Sequence, residues 1–392
     1  MDLRYSAEDE AFRAEVRDFL ETSLSGEFAV VRGRGGPGDE HALFDERLAW
    51  ERHLGAHGWT CVGWPKEHGG RGLSLHQQVI YFAEYAAAWA PGRVGHIGET
   101  LLGPTVIAFG TAEQQQRFLP PIVRGEELWC QGYSEPEAGS DLANLRTKAV
   151  LDEAADEWVV DGQKVWTSLA HWADWCFVLA RTNPDAPRHK GISYLLVPMR
   201  QPSIEIRPIV QLTGDSEFSE VFFTGARAAA GDVVGGVDNG WAVAMGTLAF
   251  ERGVSTLGQN LAFASELEVI LEQARAKGRL RDPALRQRIA GLWIRLQLMR
   301  LNALRVMSSS VDTPPAAMIT KLFWATLHRD LGELAIDIVG AEGGGGERHG
   351  AVDERLRRLF LYSRASTIYG GANQIQRNLI GERALGLPRE PR

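Results

Sequence analysis

The sequence predicts an α+β fold in three parts: an N-terminal helical domain (1–125), a middle antiparallel β-domain of barrel or sandwich type (126–236) and a C-terminal four-helix bundle (237–392). Three observations predict it. Apolar residues recur at helical spacing up to about residue 125. They then fall into short β-rich runs separated by turn residues, and after Gly240 long, mostly amphipathic stretches return.

In the first part, Ser6 is placed to cap a helix whose stripe is Phe12, Val16, Phe19 and Leu20. The glycine-rich "SGEFAVVRGRGGPG" separates it from a helix carrying Leu43, Phe44, Leu48 and Leu54. The loop "GWPKEHGGRG" leads into "SLHQQVIYFAEYAAAWA", again helical. Thr111 and Gln114 form a capping box for a helix expected to stop at Pro120–Pro121. In the second part, "EWVVDGQKVWTS" predicts a hairpin turning at Asp161–Gly162. The runs "WCFVLART", "GISYLLVPM", "IEIRPIVQL" and "SEVFFTG" supply further strands, closing near "GDVVGGVDNG". Long helices with short connections make the third part an antiparallel bundle.

The bulk properties narrow the function. A 392-residue chain with 44% hydrophobic and 23% charged residues is an ordinary globular protein of more than one core. The formal charge of −8, with no Lys/Arg-rich stripe, argues against nucleic acid as the main partner. Cys61, Cys130 and Cys176 stand far apart, with no paired spacing for zinc or disulfides. The acidic N-terminus is unlike a signal peptide, and no apolar run reaches the ~20 residues of a membrane span. A cytoplasmic protein without membrane partners is expected.

Some signals carry little chemistry. Gly33, Gly35 and Gly38 match G-x-G-x-x-G, but after a helix rather than a strand. His53 and His57 have the spacing of two metal ligands with no third in view, so a solvated helix face is expected and no metal. "GAEGGGGERHG" lacks the Lys-Ser/Thr pair of a phosphate loop, and no G-x-S-x-G elbow is present.

Three stretches stand out together: "QGYSEPEAGSDLANLRTKA" (131–149), "GQKVWTSLAHWADWCFVLART" (162–182) and "STIYGGANQIQRN" (366–378). The first exposes Ser134, Ser140 and the Gly139 backbone, although a capped turn explains it equally well alone. The second sets the flat face of Trp166 beside the hydroxyls of Thr167 and Ser168. Taken singly, that tryptophan reads better as core. The third brings paired glycines, which let a backbone approach a ligand closely. In order and spacing, with "GWPKEHGG" and "GERALGLPR", they make the whole chain resemble the acyl-CoA dehydrogenase family.

The resemblance implies FAD held between the β-domain and the bundle, with help from a neighbouring subunit. Gln131, Tyr133, Ser134, Gly139 and Ser140 match FAD-contacting positions, and Ser140 also lies near the acyl-CoA. Trp166 would pack on the flavin and Thr167–Ser168 approach its N5 edge. Asp337, Gly340 and Ala341 match a segment meeting FAD across a subunit interface, although the family often has glutamine at Asp337. Ala372, Asn373 and Gln374 match a further FAD-contacting run. Arg275, Arg279 and Arg281 are basic but do not reproduce the family's Arg-x-x-Phe-Gly run. Expected partners are an acyl-CoA, an electron-transfer flavoprotein and further subunits in a homo- or hetero-oligomer, dimer or tetramer.

The glycine loop offers no acid or base. Many family members carry Tyr-Glu-Gly where this chain reads Tyr369-Gly370-Gly371. Others place the glutamate on the first long helix of the bundle, and Glu251 falls on that position, with Arg252 matching an arginine near the substrate. The resemblance thus makes Glu251 the α-proton base, with Tyr369 and the Gly370 backbone at the substrate. The alternatives are a solvated Glu251 in a non-catalytic subunit, or a flavin monooxygenase on the same fold.

Overall fold

The computed structural model describes residues 6–36, 38–250, 255–307, 315–340 and 350–389. Glu251, Arg252 and Ala341, each expected at the site, lie outside the described residues. The chain divides into two compact units, Met1–Gln78 with Ala88–Glu251, and Val79–Ala87 with Arg252–Arg392.

The first unit begins with helices α1 (Ala7–Ser23), α2 (Phe44–Ala56) and the start of α3 (Leu75–Ala87), followed by α4 (Gly103–Phe109) and α5 (Ala112–Val123). Ser6 caps α1 through a full capping box with Asp9, and Phe12, Val16 and Leu20 bury its inner face. The Thr111–Gln114 box opens α5, but Pro120 and Pro121 sit inside the helix rather than ending it. Proline removes a donor, yet the final turn still closes, Arg124 N–H donating to the Pro120 carbonyl at 3.1 Å. The flanking Leu119 and Ile122 are buried, which offsets the lost bond.

Strands β1 (Trp129–Gly132), β2 (Lys148–Asp152), β3 (Glu157–Ser168), β4 (Trp175–Arg181), β5 (Ile192–Pro198), β6 (Ile204–Ile209), β7 (Phe218–Ala229) and β8 (Val233–Val234) form one mostly antiparallel sheet, ordered β6-β7-β3-β2-β4-β5-β8 with β1 parallel to β4. Central strands β4 and β5 are buried on both faces, which is why they read as unbroken apolar runs. Phe177, Leu179, Tyr194 and Leu196 pack with Phe118, Leu119 and Ile122 of α5. Val178, Leu195 and Val197 face the other way, into a core with Val160, Val221 and Phe223. Helix α6 (Gly240–Phe250) closes the unit.

The expected hairpin at Asp161–Gly162 is not there. Residues 157–168 are one strand, paired along its length with β7, and the dipeptide sits at a bulge where the register shifts. A side chain at Gly162 would press on the Thr147 backbone, 2.7 Å from its Cα, so the glycine serves close approach rather than a turn. The real hairpin joins β2 and β3 at 153–156, where Asp156 takes a φ of 55°.

Two dismissed motifs also have structural roles. A side chain at Gly35 would overlap the guanidinium of Arg47, which is buried and bonded to the Glu40 carboxylate at 2.8 Å and the Gly92 carbonyl at 3.0 Å. The face bearing His53 and His57 is partly solvated, with His57 exposed and His53 half-buried, and both rings also belong to an aromatic cluster. His53 stacks on Trp50 and Phe19, with His57 4.3 Å from it.

The second unit contains the end of α3, then α7 (Ser255–Ala276), α8 (Pro283–Met307), the short α9 (Pro315–Met318), α10 (Thr320–Val339), α11 (Ala351–Ser363) and α12 (Asn373–Leu379). Phe263, Leu267, Ile270 and Ala274 of α7 follow a helical stripe and meet Leu292, Leu296 and Met299 of α8 and Leu327, Leu331 and Leu334 of α10. Leu356 and Leu359 bring in α11, completing a four-helix core. Among the described residues no helix is long and apolar enough to cross a membrane.

Gly162→Ala is expected to lower the unfolding free energy by about 1–3 kcal/mol, read as a lower urea midpoint at unchanged slope. A wild-type midpoint would show that the bulge has room for a methyl group.

Candidate active site

The first unit gathers the residues of the first two stretches. β1 ends at Gly132, and the chain then runs beside β3, where Val165 N–H donates to the Ser134 carbonyl at 2.9 Å. This run is pinned from inside by a buried ion pair. Lys164 Nζ donates to Glu135 Oε1 at 2.8 Å and to the Tyr133 carbonyl at 3.1 Å, and the lysine side chain is wholly buried. Glu135 also accepts from the backbone N–H groups of Arg146 at 2.6 Å and Thr147 at 2.9 Å. Burial alone would raise this carboxyl. The Lys164 charge and hydrogen bond, with those from Thr147 and Arg146, outweigh it and hold the group below the usual carboxylate range.

Trp166 follows directly. The β3–β7 register shifts a second time between Lys164 and Thr167, and Trp166 takes a φ of 61°, a left-handed conformation that costs a non-glycine residue energy. Its indole is 58% exposed, touching Phe218 edge-on. An exposed tryptophan on a strained bulge is a surface offered to a ligand rather than a core residue. Leu169, also left-handed at 57°, donates to the Glu217 carbonyl at 3.0 Å. Burial pushes the Glu217 carboxyl up to about 7, although it accepts from Gly38 N–H at 3.0 Å.

The remaining expected contacts divide. Gly139 and Ser140 are exposed, and a side chain at Gly139 would meet no atom within 4 Å. Ser134 and Ser168 are half-buried. Gln131 Nε2 and Thr167 Oγ1 are buried polar atoms with no hydrogen-bond partner among the described residues. Thr167 therefore points its hydroxyl inward, while Ser168 keeps some exposure. Tyr133 is buried against Phe177 and Tyr194. The open Gly139 backbone, the flat exposed indole and the half-buried Ser134 and Ser168 fit a planar ligand with polar edges.

The second unit gathers the third stretch. Gly370 and Gly371 have φ of 61° and 90°. Only glycine adopts this left-handed backbone without cost. Gln376 Nε2 donates to the carbonyls of Gly370 at 3.3 Å and Gly371 at 3.4 Å, tying the turn to α12. Tyr369 is partly exposed beside Trp324. Ala372 precedes α12, Asn373 is buried with Oδ1 unpartnered among the described residues, and Gln374 is exposed. Asp337 is paired with Arg288, and Arg279 donates to its backbone carbonyl at 3.0 Å. Gly340 ends α10 with a φ of 79°. Among the described residues no group of three His, Cys, Asp or Glu is placed to bind a metal.

The sequence reading passed over Lys164, Glu135 and Gln376, although all three lie inside the stretches it singled out. A lysine within a strand that also carries buried positions was the available signal.

Family models for the N-terminal, middle and C-terminal domains of acyl-CoA dehydrogenases match residues 6–126, 130–226 and 238–385. The chain belongs to the acyl-CoA dehydrogenase family. Acyl-CoA dehydrogenase IpdE1 of Mycolicibacterium smegmatis is 57% identical over 98% of this chain and 99% of its own length. Among solved structures, a Tcur3481-Tcur3483 steroid ACAD is 32% identical, with a TM-score of 0.85 over the whole of both chains. The ChsE4-ChsE5 complex from Mycobacterium tuberculosis is 31% identical, with a TM-score of 0.82 over the same coverage. As a family member the chain is an oxidoreductase, its helical ends flanking a mostly antiparallel sheet.

Lys164→Met would strand the Glu135 carboxylate and is expected to cost about 3–5 kcal/mol. Glu135 titrates below the ~4.3 of an unfolded chain, so its contribution is complete above that pH and lost as the pH falls through the depressed range. Removing the lysine lifts that range, and the acid-unfolding midpoint should move to higher pH. An unchanged midpoint would show that the pair does not hold the loop.

Proposed function

We propose that this chain is an FAD-dependent acyl-CoA dehydrogenase that converts an acyl-CoA thioester to its 2,3-enoyl product, with Glu251 as the α-proton base. The observation that carries the reading is the exposed Trp166 on a left-handed bulge of β3, in the same unit as the open Gly139–Ser140 backbone, in a chain of this family. Trp166 would pack on the flavin, and Ser134, Gly139, Ser140 and Ser168 would meet its polar edges. In the second unit, Gly340, Ala341, Ala372, Asn373 and Gln374 would supply the remaining contacts, Asp337 less directly because Arg288 already engages it. Bound FAD would accept the β-hydrogen as hydride at N5.

The α-proton of a thioester is too weakly acidic for a free carboxylate to remove. The chain must therefore stabilise the charge developing on the carbonyl oxygen and hold its base in a dry setting that raises the base's pKa. The Gly370 N–H, presented by a left-handed turn, is the donor assigned to that carbonyl. The same turn carries no carboxylate, so the base comes from elsewhere, and Glu251 occupies the alternative family position. Arg252 would sit near the bound thioester, with Tyr369 shaping the pocket beside the turn.

A steroid-derived acyl chain is favoured, since two neighbouring structures above 30% identity are described as a steroid ACAD and its variant. The neighbours named for two chains favour assembly with a second acyl-CoA dehydrogenase subunit. Electrons would pass to an electron-transfer flavoprotein. The test is anaerobic bleaching of the FAD-loaded protein by butyryl-, isobutyryl-, palmitoyl- and cholanoyl-CoA, alone and with its partner subunit. Wild type should bleach, fastest with cholanoyl-CoA, and Glu251→Gln should slow bleaching by on the order of 10²–10⁴-fold. Wild-type bleaching in Glu251→Gln would refute the assignment of the base.

A further inference from the structure

Beneath the glycine turn lies a polar network for which the chemistry above has no use. Ser366, at the start of the turn, has no exposed surface. Its Oγ is 2.8 Å from His328 Nδ1, and its backbone carbonyl accepts from Lys321 Nζ at 2.5 Å. Both partners come from α10 and are more than nine-tenths buried. The His328 ring stacks on Phe263 of α7, 4.4 Å between centroids and 14° from parallel. Its Nε2 faces Glu266 Oε2 at 3.5 Å, without a hydrogen bond. Lys321 Nζ also lies 5.3 Å from the centre of the Tyr369 ring and 4.8 Å from that of Trp324.

Serine, histidine and glutamate in series resemble a hydrolase triad in composition. The wholly buried Ser366 cannot meet a substrate, so nucleophilic chemistry is excluded. Packing alone does not explain the network either. A phenylalanine at 328 would stack on Phe263 as well, without the cost of burying an imidazole. What the imidazole and the ammonium share is Ser366, one through its side chain and one through its backbone. Three residues further on comes Tyr369, and then the Gly370 N–H.

We infer that His328 and Lys321 are positioning residues: by gripping Ser366 from α10, they fix the backbone of residues 366–371 so that the Gly370 N–H is held in place for the thioester carbonyl. The inference rests on the function proposed above. Two glycines with left-handed φ give the turn the conformation it needs but no rigidity. Rigidity has to come from its anchors, and a small misplacement of a donor costs an enzyme heavily.

The test separates the two nitrogens of His328. Asparagine at 328 keeps a polar group near the Nδ1 position, whereas glutamine keeps one near Nε2. In the FAD-loaded protein, Ser366→Ala and His328→Gln should speed amide hydrogen exchange over residues 367–371 by about tenfold, the worth of one hydrogen bond. The same variants should slow flavin reduction at saturating acyl-CoA by about tenfold while leaving the half-saturating concentration within about twofold. His328→Asn should remain close to wild type in both.

Unchanged exchange in Ser366→Ala and His328→Gln would overturn the inference. So would equal losses in His328→Asn and His328→Gln, which would mark a packing role. Faster exchange with wild-type reduction would overturn it too, since the turn would then not need its anchors. If no acyl-CoA reduces the wild-type protein, the proposed function fails, and the exchange measurements still decide whether this network fixes the turn.

Discussion

The site in the first unit depends on the burial of one lysine. Lys164 and Glu135 lie 29 residues apart in sequence, and both are withdrawn from water. Desolvating two charges costs several kcal/mol per ion, offset here because Glu135 accepts from Lys164 and two backbone N–H groups. The pair also has a geometric consequence. Residues two apart on a regular strand share a face, so Lys164 inside would carry Trp166 inside with it. The register shift after Lys164 breaks that rule and turns the indole outward. Burial of a cation and exposure of a tryptophan are thus linked, and Tyr133, Ser134 and Glu135 are fastened along the same strand.

The second unit meets a different constraint. Gly370 and Gly371 hold positive φ, which glycine provides without strain. A carboxylate at position 370 would have to occupy that left-handed backbone, at a cost of roughly 1–2 kcal/mol. On the proposed reading the chain divides the labour, with the turn giving the donor and a bundle residue the base.

Much of this was legible in the sequence because the signals were local. The Ser6 cap and the Thr111–Gln114 box operate within one helical turn. Strands β4 and β5 announced themselves by continuous apolar runs, as buried central strands do. The failures have a common cause in distant partners. Asp161–Gly162 has the composition of a tight turn, but Thr147 and the long pairing with β7 make it a bulge. Pro120 and Pro121 should end a helix, but burial of their neighbours carries it one turn further. Gly35 mimics a nucleotide loop because Arg47, twelve positions on, needs the room. In the same way the stretches at 131–149 and 366–378 stood out as a candidate site, while the residues that brace them, Lys164, Lys321 and His328, did not, since their partners lie in other elements.

Proton transfer can be followed apart from oxidation, and that gives the most direct measurement of the central claim. A 3-thia-acyl-CoA has an acidic α-hydrogen but cannot be carried through to the enoyl product. Incubated with the FAD-loaded protein in D₂O, it should take up deuterium at the α-carbon, read by mass spectrometry. The account predicts exchange by wild type that falls at least about a hundredfold in Glu251→Gln, with ligand binding retained. Undiminished exchange in that variant would place the base at another residue and contradict the account.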